Sequence, residues 1–120
     1  MRDHTKLKVF TLADNLTLAI YRETREFPTS ELYGLQSQMR RAAVSVAANI
    51  VEGCARSTLA EYIRFLEIAY GSARELEYEV SLCERLGLLA AETGAQLQAA
   101  CTSTAKGLNG LLRALRQRHG

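Results

Sequence analysis

Histidine is scarce among the side chains able to do acid-base, nucleophilic or metal chemistry: His4 and His119 stand near the two ends of the sequence, with none between them. A di-iron bundle site needs Glu-x-x-His pairs on facing helices, and an activated Cys or Ser needs a base within hydrogen-bond reach. Neither arrangement is offered, so no metal, cofactor or small-molecule substrate is expected and an enzyme is disfavoured. Cys54, Cys83 and Cys101 are singletons without CxxC spacing. Their odd number suits reduced thiols acting as small apolar residues better than a disulfide framework. Cys54, beside Gly53 at an expected helix end, is the one thiol whose position could expose it to reaction.

Two polar sets remain. Ser45, Asn49, Glu52, Glu61 and Glu75 could form a binding or catalytic cluster, or could supply hydrogen bonds that hold two helices in one alignment. The second reading is preferred, because neither a base nor a metal ligand accompanies them. The other set is basic. Charge runs +2 over residues 1–56 (eight basic, six acidic), −4 over 57–92 (three and seven) and +4 over 93–120 (four and none). Lys106, Arg113, Arg116 and Arg118 gather toward the carboxyl end, where they also complement a helix dipole, and Arg40, Arg41 and Arg56 form a second group. Each is a candidate phosphate contact. The total of +2 is too small to argue nucleic acid for a single copy, but copies arranged in an oligomer would multiply the patches.

The elements that must position these groups are helices. With 120 residues, 48% apolar and 23% charged, the chain suits one packed domain, expected over residues 1–120. The first residues lack the apolar run of a secretory signal, and the most apolar stretch, 42–51, is too short for a membrane span. A cytoplasmic protein is expected. Pro28, Gly53 and Gly87 divide the chain into four segments whose apolar residues recur every three or four positions. The third is the most regular: Tyr62, Leu66, Ala69, Ala73, Leu76, Val80, Cys83. Thr58-x-x-Glu61 and Thr93-x-x-Gln96 have the form of capping boxes that open helices three and four. The spacing predicts helices over about 9–26, 30–52, 58–86 and 93–117, and an all-α, antiparallel up-down-up-down four-helix bundle is the economical arrangement.

Helices two and three carry more apolar surface than one bundle uses. Opposite the Met39–Val46 seam lie Tyr33, Val44, Ala48 and Val51; away from the Leu66–Leu76 seam lie Ile63, Tyr70, Tyr78 and Leu82. Gly71, which costs about 1 kcal/mol in a helix interior relative to alanine, falls on the same second face. A second contact surface, most simply another copy of the chain, explains all of these.

The stretch Phe27-Pro-Thr-Ser-Glu-Leu-Tyr-Gly-Leu-Gln-Ser-Gln-Met-Arg-Arg-Ala-Ala-Val-Ser-Val-Ala-Ala-Asn-Ile-Val-Glu-Gly53 resembles the signature of the bacterial 23S rRNA intervening-sequence proteins. The likeness continues through Arg56-Ser57, Glu61-Tyr62 and the run from Phe65 to Glu77. It implies an up-down four-helix bundle assembling as a ring, a pentamer, without enzyme activity. A related branch, the accessory variability determinant of diversity-generating retroelements, is a basic pentameric barrel that binds nucleic acid; this chain is much less basic. Ser45, Asn49, Glu52, Gly53, Gly71, Ser72 and Glu75 match the motif's polar and glycine positions, to which the family gives no established chemical task. Two functions are therefore carried forward: an oligomeric scaffold for RNA or DNA, and a structural adaptor for protein partners.

Overall fold

The computed structural model describes the backbone of residues 2–119 and the side chains of 2–118; Met1, Gly120 and the His119 side chain lie outside it. Four helices account for most of the chain: α1 Lys8–Glu23, α2 Leu35–Cys54, α3 Leu59–Arg85 and α4 Ala91–His119. Short 3-10 turns at His4–Lys6 and Thr29–Glu31 precede α1 and α2, and no strand forms among the described residues. The all-α class expected from the periodicity is the class observed.

Three helix ends differ from expectation, each for a local reason. Helix α1 stops at Glu23 rather than 26 because the buried Thr24 turns the chain: its hydroxyl donates to the Ile20 carbonyl (2.8 Å) and its own carbonyl accepts from Gln36 Nε2 (2.8 Å). Helix α2 starts at Leu35, since the residues after Pro28 form a 3-10 turn instead of the first helical turn. The Thr58 box does open α3, with Thr58 Oγ1 accepting from the Glu61 amide at 3.1 Å. Thr93 does not open α4. That helix begins at Ala91, with the Gly94 amide bonded to the Ala90 carbonyl at 2.9 Å. Gly87, at φ +78, allows the tight reversal that lets α4 start so soon, a conformation L-residues with a Cβ adopt at a cost.

Contacts between neighbouring helices pair rising with falling residue numbers. Across α1 and α2, Thr17 bonds the Ala43 carbonyl and Arg40 the Tyr21 carbonyl. Across α2 and α3, Cys83 meets Met39 and Ser72 meets Ser45. Across α3 and α4, Gln98 bonds the Glu77 carbonyl and Arg116 pairs with Glu67. The result is a rod of 45 × 21 × 20 Å.

The whole α3 seam read from the sequence is buried, and burying a leucine there contributes about 1.5–3 kcal/mol. The core falls into two clusters. One holds Ile50, Cys54, Tyr62, Leu66, Leu108, Leu112 and Leu115; the other holds Leu16, Ile20, Met39, Leu76, Val80, Cys83 and Leu97. Alanines crowd the boundary between them: Ala13, Ala43, Ala73 and Ala105. Gly53 marks the close approach of α2 to α3, where a Cβ would stand 3.1 Å from Phe65 Cβ and 3.2 Å from Tyr62 Cδ1.

Candidate nucleic-acid interface

The bundle separates the basic residues that the sequence grouped. Arg40 and Arg56 are sixteen positions apart on and just beyond one helix, which at 1.5 Å per residue is roughly 24 Å. Arg40 is spoken for. Its Nε donates to Thr24 Oγ1 (3.0 Å), its Nη2 to the Tyr21 carbonyl (3.1 Å), and its guanidinium lies 4.5 Å from the Tyr21 ring centre. It binds the end of α1 to α2, which corrects its assignment as a free phosphate contact. Arg41 is exposed, on a polar recess it shares with Gln38, Ser45, Ser72 and the acidic Glu75.

Of the remaining candidates, Arg56, Arg113, Arg116 and Arg118 lie toward the other end, and Lys106 stands near the middle of α4. Arg56 follows α2, and Arg113, Arg116 and Arg118 lie on the last turns of α4, all three exposed. Arg116 is tied to Glu67 at 2.6 Å; both side chains are about half exposed, so the pair adds little to stability and can be exchanged for another anion. Lys106 is exposed beside Tyr70, Arg74, Glu77 and Asn109. Arg2, passed over in the sequence, joins them: its guanidinium stacks 4.1 Å from the Tyr62 ring centre and its Nη1 donates to the Arg56 carbonyl at 2.9 Å.

Folding thus produces a charge asymmetry that segment counts along the chain conceal. On one side of the alanine boundary lie residues 2–13, 46–73 and 105–119, with nine basic and four acidic side chains, a balance of +5. On the other lie 14–45 and 74–104, with six basic and nine acidic, a balance of −3. The basic end of the rod is where a polyanion would be drawn.

Residues 5–110 match the 23S rRNA-intervening sequence protein family. The chain belongs to that family. A solved structure from the S23 ribosomal protein family, a Bacteroides thetaiotaomicron protein of unknown function, shares the fold: TM-score 0.81, 23% sequence identity, 88% of this chain and 95% of that chain covered. Comparison with curated proteins gives no match.

Several of the positions that match the intervening-sequence motif have structural tasks here. Asn49 Nδ2 donates to the Ser45 carbonyl (2.8 Å) and Ser45 Oγ (3.0 Å), and Ser45 Oγ meets Ser72 Oγ at 2.8 Å, one polar chain linking α2 to α3. Glu52 pairs with Arg56 (3.3 Å) and Glu61 accepts from the hydroxyl of Thr58, the cap of α3, so these two stand at the basic end, apart from Glu75. The five polar residues do not form one cluster. Glu75 instead neighbours Glu79, which the sequence reading missed. Glu79 is 3% exposed and its Oε1 has no hydrogen-bond partner among the described residues. Burial, then the adjacent Glu75 carboxylate, push its pKa up to about 7, with Arg41 opposing. The available signal was its spacing, four residues after Glu75 and one before the buried Val80.

Of the residues assigned to a second apolar face, Tyr33 (90% exposed), Tyr78 (60%), Val44, Ala48 and Val51 lie outside, Ile68 is exposed as well, and Leu82 is partly covered. Gly71 is exposed with nothing within 4 Å of where its Cβ would be. Tyr70 is half-buried against the core, its hydroxyl accepting from Arg74. Ile63 is a correction: at 8% exposure it belongs to the core, because α3 is flanked by α2 on one side and α4 on the other. The Cys54 expectation is corrected too. All three cysteines are free and buried, and burial pushes the thiols up, to about 11 for Cys83 and about 12 for Cys101, so none is poised to react.

No helix among the described residues is long and apolar enough to cross a membrane.

Proposed function

We propose that the protein is a non-enzymatic cytoplasmic scaffold, an antiparallel up-down-up-down bundle that assembles into a ring of identical copies and holds RNA or DNA at its basic end. The +5 against −3 division of the rod carries this reading. A net charge of +2 spread evenly would not attract a polyanion, but the same charges sorted to one end give each copy a basic pole, and a ring, a pentamer in our reading, multiplies the poles. Binding should be steeply salt-dependent. If about four phosphates are neutralised, affinity for a short oligonucleotide falls about 100-fold between ~50 and ~200 mM salt. Fluorescence anisotropy measures this, and no binding even at low salt would remove the nucleic-acid role.

Assembly rests on the outer α2–α3 face, where Val44, Val51, Ile68 and Tyr78 stay exposed in a single copy. Gly71 tests it. Since nothing lies near its missing Cβ, Gly71→Ala should raise the stability of the isolated bundle by about 0.5–1 kcal/mol. Gly71→Arg leaves the fold intact by circular dichroism and lowers the mass seen by light scattering to that of one chain. A parent protein that scatters as a single chain at high concentration would remove the ring.

The exposed Tyr33 and Tyr78 favour a second reading, an adaptor for protein partners, since such rings are common at protein interfaces. Recovery of one partner protein after nuclease treatment would support it over the first.

A further inference from the structure

We infer that the corner between α2 and α3 is a phosphate-binding site built from Arg2, Arg56 and Ser57. This deepens the nucleic-acid reading above and rests on it for the source of the phosphate.

The corner is a recess of about 430 Å³ lined by Arg2, Ala55, Arg56 and Ser57. Its two guanidinium groups are held by their surroundings. Arg2 stacks on Tyr62, its amide bonds the Cys54 carbonyl (3.3 Å) and its Nη1 bonds the Arg56 carbonyl (2.9 Å). Arg56 stacks on Phe65 at 4.7 Å. Stacking occupies the faces of the two planes and leaves N–H edges for an acceptor, the geometry in which arginine takes a tetrahedral oxyanion bidentately. Arg56 Nε is buried and has no acceptor among the described residues, while Nη2 reaches one carboxylate, Glu52, at 3.3 Å. Because Nε itself has no solvent-exposed surface, an incoming oxygen would meet the Nη edge of the fork, on a side chain that is 38% exposed. Arg64 lies 6.0 Å from the Phe65 ring centre and Arg118 is near enough to act on the Tyr62 hydroxyl, so further cations stand in the neighbourhood of the recess. Ser57, exposed and also lining the recess, brings a neutral hydroxyl to the corner. These groups fit a phosphate, either free or within a nucleic-acid backbone.

The test is a titration followed by NMR on protein labelled at arginine side chains and backbone amides, with inorganic pyrophosphate in one arm and a short single-stranded oligonucleotide in the other. The Arg56 Nε–H and the Ser57 amide should shift saturably. Arg56→Lys, which keeps the charge but not the fork, should weaken binding by about tenfold, the loss of one bidentate contact. Arg25→Lys, exposed just beyond α1 on the far half of the rod, should change it little. A circular dichroism spectrum and melting curve matching the parent's qualify Arg56→Lys as folded, and Arg2→Lys provides a second variant that leaves the α2–α3 connection untouched. Saturation by the oligonucleotide but not pyrophosphate supports the site with a polymeric ligand. Saturation by pyrophosphate alone supports the site and overturns the nucleic-acid role. Oligonucleotide binding that leaves both corner resonances unmoved and is indifferent to Arg56→Lys overturns the site while the nucleic-acid role stands. Silence in both arms overturns both.

Discussion

At about pH 8 the Glu79→Gln protein should be more stable than its parent by about 2–3 kcal/mol, and at about pH 4.5 the two should unfold at the same urea concentration. Glu79 lies 3% exposed beside Glu75, and its folded pKa is raised to about 7 from an ordinary 4.5. Between those values the unfolded chain has released the proton while the folded chain keeps it. The folded state therefore binds more protons, and stability must fall as pH rises through the window, by about 1.4 kcal/mol per pH unit, levelling off above the folded pKa. Glutamine supplies a neutral side chain of the same shape and removes the slope. Urea unfolding of parent and variant across this range gives the difference curve; a constant difference would mean Glu79 is ionised in the fold. Glu75→Gln should flatten the parent's curve in part, because the neighbouring carboxylate is the second cause of the shift.

Leu66→Ala should cost about 3–5 kcal/mol, enough to leave a domain of this size barely folded. Leu66 is fully buried in the cluster that also holds Ile50, Tyr62, Leu108 and Leu112, so its removal leaves a cavity bounded by three helices. Leu18→Ala, at an exposed position of α1, should change stability by less than about 0.5 kcal/mol. Thermal or urea unfolding separates them. Leu76→Ala opens the other cluster, ten residues or roughly 15 Å along α3, and the Leu66 and Leu76 costs should add to within about 0.5 kcal/mol. Equal effects at Leu18 and Leu66 would contradict the assigned core.

The seams were legible because a heptad-like spacing leaves a helix one way to face its neighbours, and the α3 positions from Tyr62 to Cys83 are buried throughout. The Thr58 cap was legible because its bonds, the Glu61 amide to Thr58 Oγ1 and the Thr58 hydroxyl to Glu61 Oε1, are local. Thr93 misled because the form of a capping box also occurs inside a first turn, and the start of α4 is decided by the reversal at Gly87 and the helix-forming Ala91 and Glu92. Arg40 could not be placed by a helical wheel, which gives the direction of a Cα–Cβ bond but not the reach of a guanidinium to the end of another helix. The basic end was hidden for a related reason. Its charges come from three stretches distant in sequence, and only the direction of each helix decides which of them meet. Ile63 was misassigned because a two-sided view of α3 overlooks that both its flanks are covered.

The uneven ends of the rod also govern how it moves before it touches anything. In the field of a polyanion such a molecule would experience a torque toward an end-on approach, so under the proposed function encounters would be pre-oriented and association would quicken as ionic strength drops. The same separation gives neighbouring rods a reason to line up nose to tail in dilute buffer, an attraction that ordinary salt within about a Debye length of 10 Å erases.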